Sequence, residues 1–275
     1  MTQLPHPFVK WLGGKSKMTR HILERLPLKF NTYFEPMVGG GALFFELSKQ
    51  KRFKKAFLGD TNPDLINAYR VIKSDVDGVI RELKSGRYIY DKKRYISIRS
   101  EEIDEKTPIE RAARFIYLNR TCFNGLYRIN QAGKFNVPFG KYNNPVICDS
   151  ENLKEVSKAL KTTRIMEKNF DFVLKEAKKG DVVYFDPPYF PSSKTSNFTS
   201  YTKDRFGIVD QTLLSIVVDQ LSERGVSVVL SNSFAARDLY EGREIINLTG
   251  RSNIGGPTDY RHPIEEIMVF VNLER

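Results

Sequence analysis

Four consecutive residues, Asp186–Pro187–Pro188–Tyr189, place an acidic side chain, a rigid acceptor carbonyl and an aromatic face within one short stretch. Consecutive prolines fix the backbone and remove two N–H donors, so the carbonyls remain to accept. An amino group on a flat heterocycle needs that set: two acceptors for its N–H bonds and a surface to lie on. The tetrapeptide follows directly on the apolar run Val182–Phe185. Ligands of open α/β sheets bind beyond the carboxyl ends of strands, so the position suits chemistry. The plainer reading is a proline-rich turn after a core strand.

A second candidate is Phe34–Glu35–Pro36–Met37–Val38–Gly39–Gly40–Gly41–Ala42, which follows a short apolar strand at Tyr33–Phe34 and opens a helix over Ala42 to Lys49. Glycines let a backbone come close to a ligand, and a helix N-terminus offers free N–H groups. Asp60, some twenty residues further on at the end of the strand Ala56–Leu58, is placed to grip ribose hydroxyls. A dinucleotide fingerprint needs a third glycine near Phe44, and none is there, so a smaller nucleoside cofactor fits better. A plain structural turn is the alternative. Gly13–Gly14–Lys15–Ser16 suggests a triphosphate loop, but that motif needs a glycine where Val9 stands.

The chain of 275 residues carries 44 Lys and Arg against 33 Asp and Glu, a net charge of +11, which favours polyanionic partners. Between Arg111 and Pro145 lie Arg111, Arg114, Arg120, Arg128, Lys134 and Lys141 with no acidic residue. Phe115, Tyr117, Phe123, Tyr127, Phe135, Phe139 and Tyr142 are interleaved with them. Basic residues mixed with aromatics suit both phosphates and unstacked bases. Two cysteines, Cys122 and Cys148, exclude a disulfide-rich scaffold, and no His/Cys cluster suggests a metal. No apolar run reaches membrane-spanning length, and Met1 to Lys10 lacks an apolar signal core, so a cytoplasmic location is expected.

These sites must be held by alternating strands and helices. Asn62–Pro63 reads as the cap and first turn of a helix, Val71 to Ile109 as highly charged helix, and Asn130–Gln131–Ala132–Gly133 as a hairpin or loop. Alternation resumes with strand Asp181–Phe185, helix Asp210–Arg224, strand Val226–Leu230 and a final strand over Ile264–Val271. The expected fold is an α/β, Rossmann-like sheet with an inserted, mainly helical domain. The expected division is a catalytic core at 1–68, an insertion at 69–149 that contains the hairpin, and the second part of the core at 150–275.

Phe8 to Lys15, the Phe34–Ala42 turn, Asp60, Asn119–Gly140 and Asp186–Tyr189 occur in the order found in one family. The chain resembles the Dam-like (D12 class, alpha group) site-specific DNA adenine-N6 methyltransferases over nearly its whole length, least between Val71 and Ile109 and from Arg251 to Ile264. The resemblance implies an S-adenosylmethionine (AdoMet) binding sheet with a separate target-recognition domain. It implies that Trp11, Lys15, Glu35, Pro36, Gly39, Gly40, Gly41, Asp60, Phe170 and Asp186 surround AdoMet, with Lys15 on its carboxylate. A core position is the alternative for Phe170, and nothing is assigned to Asn169.

Catalysis would fall to Asp186, Pro187, Pro188 and Tyr189. Phe123, Asn124, Leu126, Arg128, Lys134, Pro138 and Lys141 would meet double-stranded DNA. Arg128 would read a guanine, Leu126 and Pro138 would touch a thymine methyl, and Phe123 would prop the vacated stack, within the sequence GATC. Other readings are an amino-group methyltransferase acting on RNA or protein glutamine, and a catalytically idle DNA-binding protein. Neither metal nor membrane is expected, and oligomeric state is left open.

Overall fold

Side chains alternate between two apolar faces along each central strand, as the period of two requires. The computed structural model describes residues 5–11, 16–189, 206–251 and 263–273. Seven strands form one sheet: β1 (Thr32–Glu35), β2 (Lys55–Asp60), β3 (Thr163–Glu167), β4 (Val182–Phe185), β5 (Ser227–Ser233), β6 (Glu244–Arg251) and β7 (Pro263–Val271), in the order β3-β2-β1-β4-β5-β7-β6. The first five are parallel, and β7 runs antiparallel to β5 and β6. Tyr33, Ala56, Leu58, Val182, Tyr184, Val229 and Met268 point to one face, and Phe34, Val183, Phe185, Val228, Leu230 and Val269 to the other. The sheet is therefore covered on both sides, the α/β arrangement expected.

Helices divide unequally between the faces. α1 (Ser16–Arg25), α2 (Ala42–Lys49), α3 (Pro63–Ser74), α4 (Val76–Leu83), α5 (Lys92–Arg99), α6 (Pro108–Thr121) and α7 (Ser150–Leu160) share the first apolar cluster. α8 (Val173–Glu176) and α9 (Ile208–Glu223) cover the second. α3 crosses position 69 without a break, and Tyr69 lies fully buried in the first cluster.

The elements α1, α7, α8, β3 and β6 went unread in the sequence, and α6 was read only as a basic, aromatic stretch. The hairpin is present but is held by single bridges, Cys122 to Phe139 and Ile129 to Phe135, not by strands. Its tip is closed by the Asn130 carboxamide oxygen, which accepts from the amides of Ala132 and Lys134 at 3.0 Å each.

The order β3-β2-β1-β4-β5 reverses direction between β1 and β4. A crevice opens at such a switch point beyond the carboxyl ends of the strands. Glu35 ends β1 and Asp186 follows β4, so both sequence motifs arrive at that crevice.

Asn62 caps α3, its side-chain oxygen accepting from the amides of Asp64 and Leu65 at 3.1 Å, with Pro63 in the first turn. Replacement of a cap of this kind costs about 1 kcal/mol. Asn62→Ala is expected to lower the urea midpoint with an unchanged slope, and an unmoved midpoint would show that the cap is dispensable.

Candidate active site

The glycine turn begins where β1 stops. Gly39 and Gly41 take φ of +46° and +67°, in the left-handed region. A Cβ on Gly39 would stand 2.6 Å from the Trp11 indole nitrogen, and one on Gly41 would stand 2.7 Å from the Tyr69 hydroxyl. Gly40 lies against the Trp11 Cβ in the same way, at 3.1 Å. Asp60 braces the turn from the end of β2: one carboxylate oxygen accepts from the Gly39 amide at 3.1 Å, the other from the Asn62 amide at 2.9 Å. Burial pushes the Asp60 carboxyl above its ordinary range, and the amides of Asn62, Gly39 and Thr61 pull the other way. Tyr69 donates to the Gly39 carbonyl at 3.1 Å, and the Phe172 ring packs where a Cβ on Gly59 would fall, with the Pro36 backbone in contact beside it at 3.4 Å.

Glu35 is almost wholly buried. It accepts from the Tyr33 hydroxyl at 3.0 Å and from the Phe44 amide in the first turn of α2. Gly41, the cap residue, has no side chain to do this, so a carboxyl on β1 supplies it. Burial raises the Glu35 carboxyl to about 8. The Asp186 charge adds to the rise, and the bonds from Tyr33 and Phe44 oppose it.

The Asp186–Tyr189 segment is anchored at three points. Ser231, near the end of β5, donates to the Asp186 carboxylate at 2.8 Å and pairs with the Tyr184 hydroxyl at 3.1 Å. Gln211 of α9 donates to the Pro188 carbonyl at 3.1 Å, while its own oxygen accepts from Asn232 at 2.8 Å. The Tyr189 hydroxyl donates to Glu266 of β7 at 2.7 Å. Burial, with the charges of Asp186 and Glu266, holds the Tyr189 phenol far above its ordinary range.

Phe170 is buried among aromatic rings, edge-on to Phe185 at 6.4 Å and to Phe206 at 5.9 Å. Lys15 lies outside the described residues. Trp11, Glu35, Pro36, the three glycines, Asp60 and Asp186 are gathered around the switch point.

The basic, aromatic stretch is less exposed than its composition suggested. Phe115, Tyr117, Tyr127 and Phe135 are buried. Arg114 is also buried, bonded to the carbonyls of Ile98 and Arg99; Arg111 pairs with Asp64, and Arg120 donates to the Phe8 carbonyl. Most of the stretch is therefore core and scaffold, because a small helical body needs aromatic filling and carbonyls at its helix ends need donors. Phe123 (44% exposed), Asn124, Arg128, Lys134, Pro138 and Lys141 do reach the surface, and Leu126 is half-buried beneath them. Arg128 is clipped across the hairpin to the Asn136 side chain at 2.7 Å, and Lys134 pairs with Glu102.

Sequence reasoning missed Ser231, Gln211, Glu266 and Lys10. Lys10 sits 3.7 Å over the Tyr142 ring, in a cleft of about 280 Å³ lined also by Arg120, Asn143, Pro145 and Val146. Ser231 had a readable signal, the end of an apolar run; Glu266 had none. Burial raises the Cys122 thiol to about 12, which keeps it from acting as a nucleophile. Among the described residues no group of His, Cys, Asp and Glu is arranged for a metal, and no helix is long and apolar enough to cross a membrane.

A profile for D12 class N6 adenine-specific DNA methyltransferases matches residues 11–254, which hold the glycine turn, Asp60, the hairpin and Asp186–Tyr189. The chain belongs to that family. The Type II methyltransferase M1.LlaDCHI of Lactococcus lactis is 43% identical over 271 residues, 96% of this chain and 94% of its own. The Type II methyltransferase M.MjaIII of Methanocaldococcus jannaschii is 42% identical over 283 residues, 96% and 98% of the two chains. A DNA adenine methylase of Haemophilus influenzae is 34% identical over 279 residues, 96% and 93%. Methyltransferase chemistry implies AdoMet, and the donor set fits it: each Asp60 oxygen accepts from one amide and has a second lone pair for a hydroxyl.

Glu35 makes the stability of this methyltransferase depend on pH. Its native pKa lies above the 4.5 of an ordinary glutamate, so the folded chain holds the proton more tightly than the unfolded one. The resulting stability is complete below pH 4.5, is lost as pH rises toward about 8, and then levels off. The difference in melting temperature between wild type and Glu35→Gln should shift across that window in favour of the variant. A constant difference from pH 5 to 8 would show that Glu35 is ionised in the fold.

Proposed function

We propose that this chain transfers a methyl group from AdoMet to N6 of an adenine flipped out of double-stranded DNA, with GATC as its sequence. The observation that carries the reading is Asp186, held by Ser231 just past the carboxyl end of β4, the strand paired with β1 from which the glycine turn leads. The lone pair of an adenine amino group is delocalised into the ring and attacks poorly. Bonds from its two N–H groups to the Asp186 carboxylate and the Pro187 carbonyl favour a tetrahedral nitrogen and free that lone pair. A bond to a charged acceptor contributes about 1.5–3 kcal/mol, and in-line placement as much as about 7–11 kcal/mol, so positioning dominates. Bound AdoMet supplies the electrophilic methyl. Trp11, Lys15, Glu35, Pro36, Gly39 to Gly41, Asp60 and Phe170 would form its pocket, with Asp60 on the ribose and Lys15 on the carboxylate.

The amino group is out of reach inside a duplex, and flipping costs a few kcal/mol. Stacking on Tyr189 returns about 1–3 kcal/mol. Residues 69–149 would recognise the target. Exposed Phe123 would prop the vacated stack, Asn124 would also meet the DNA, Leu126 and Pro138 would meet a thymine methyl, and Lys134 and Lys141 would meet phosphates. Arg128, braced through Nε by the Asn136 side chain, would offer its remaining N–H groups to guanine O6 and N7. The greater identity to relatives named Type II methyltransferases supports a place in a restriction–modification system.

Sequencing modified bases in host DNA after expression tests the reaction and the site together; methylated adenine in another sequence would overturn GATC alone. Asp186→Ala should abolish transfer while duplex binding survives, and wild-type turnover by that variant would sink the assignment. Arg128→Ala should cost about 1–3 kcal/mol on cognate DNA and relax discrimination at one guanine. A uniform loss across single-base-substituted duplexes would make Arg128 a phosphate contact instead.

A further inference from the structure

Glu266 lies seventy-seven residues beyond Tyr189, yet its carboxylate accepts from the Tyr189 hydroxyl at 2.7 Å. Topology explains the meeting. β7 is antiparallel to β5, with Glu266 opposite Ser233, the last residue of β5. The start of β7 therefore lies beside the ends of the parallel strands, where Asp186–Tyr189 emerges. Glu266 has the β7 parity of Met268 and Phe270, whose side chains join the same face as Tyr184, while Glu265 beside it is exposed. In β6 it pairs with Leu248, so the backbone that carries it is fixed on both sides. A half-buried carboxylate inside a sheet needs a donor, and the Tyr189 phenol is one. The three anchors also differ in what they restrain. Ser231 holds the carboxylate, Gln211 holds the backbone at Pro188, and Glu266 holds the tilt of the Tyr189 ring.

We propose that Glu266 is a positioning residue for methyl transfer, fixing the Tyr189 ring so that the base laid on it presents its amino group to Asp186. The inference rests on the reading of Tyr189 as the stacking face for adenine. Loss of the bond removes that restraint on the tilt of the ring, so the base is still bound but is less often in line.

The test uses the full chain with AdoMet and a duplex carrying the site identified by base sequencing. Turnover is measured on the adenine duplex, and base flipping by the fluorescence of 2-aminopurine placed at the target. Glu266→Ala should lower kcat about 10- to 100-fold, the range of a bond to a charged acceptor. The KM for AdoMet should stay within about twofold, since ground-state cofactor binding is untouched. Glu266→Gln, whose amide oxygen still accepts from the phenol, should recover most of the loss, and Glu265→Gln should behave as wild type. Tyr189→Phe keeps the ring and loses the hydroxyl; it should match Glu266→Ala, and the double variant should be no worse than either. Independent, multiplying losses would overturn the proposal. So would wild-type turnover and fluorescence in Glu266→Ala when Tyr189→Ala is impaired, and that result leaves the stacking reading intact. If Tyr189→Ala itself flips and methylates normally, the stacking reading falls and the anchor falls with it.

Discussion

A turn of three glycines has no side chains with which to hold its own shape, so its conformation must be imposed by neighbours. Asp60 imposes most of it, tying the Gly39 amide to the end of β2 and, through its second oxygen, fixing the start of α3 at Asn62. Much of the site hangs from that carboxylate. With Gly39 in place, Trp11 packs on the turn and Tyr69 reaches the Gly39 carbonyl from α3. Tyr127 of the hairpin stacks on Trp11 at 6.1 Å and donates to Asp64, two residues past the cap. A group that is proposed to hold ribose is thus also a structural brace, and each bond it makes within the protein fixes its geometry before a ligand arrives.

On the other side of the switch point the same problem is solved differently. Asp186–Tyr189 contains two prolines that cannot donate, so its order comes from side chains that donate to it or accept from it. Those partners come from β5, α9 and β7, elements that belong to the second half of the chain. The two halves of the site meet electrostatically at Glu35, whose pKa responds to the Asp186 charge.

How much of this was legible in the sequence depended on where a strand lies in the sheet. The interior strands β1, β2, β4, β5 and β7 announce themselves as apolar runs because both of their faces are covered. The two strands that were not read, β3 and β6, are the edges. Arg164, Glu167 and Asn247 are polar residues that an edge carries toward water and that blur a strand pattern. The chemical motifs were legible because they sit next to those interior strands, where glycine, proline and aspartate interrupt apolar runs. The stretch from Arg111 to Pro145 was over-read. Its arginines and aromatics looked like a nucleic-acid surface, but Arg114 and Tyr117 point inward, and nothing in composition separates a buried cation bonded to carbonyls from an exposed one. Partners such as Glu266 were invisible because only the folded sheet brings them near.

The segment leading to Trp11 is laced into the structure almost entirely by residues that come much later in the chain. His6 exchanges two hydrogen bonds with Asn152, Phe8 accepts from Arg120, and Lys10 exchanges two with Asn119. These residues are synthesised well before Asn119, Arg120 and Asn152 and meet them only once α6 and α7 exist. Trp11 therefore reaches its place against Gly39 late, after α6 has formed, so the proposed cofactor pocket is completed from the side of the proposed recognition region. Contacts this distant in sequence are slow to close. A chain caught before that closure would have a formed sheet and hairpin but an open glycine turn.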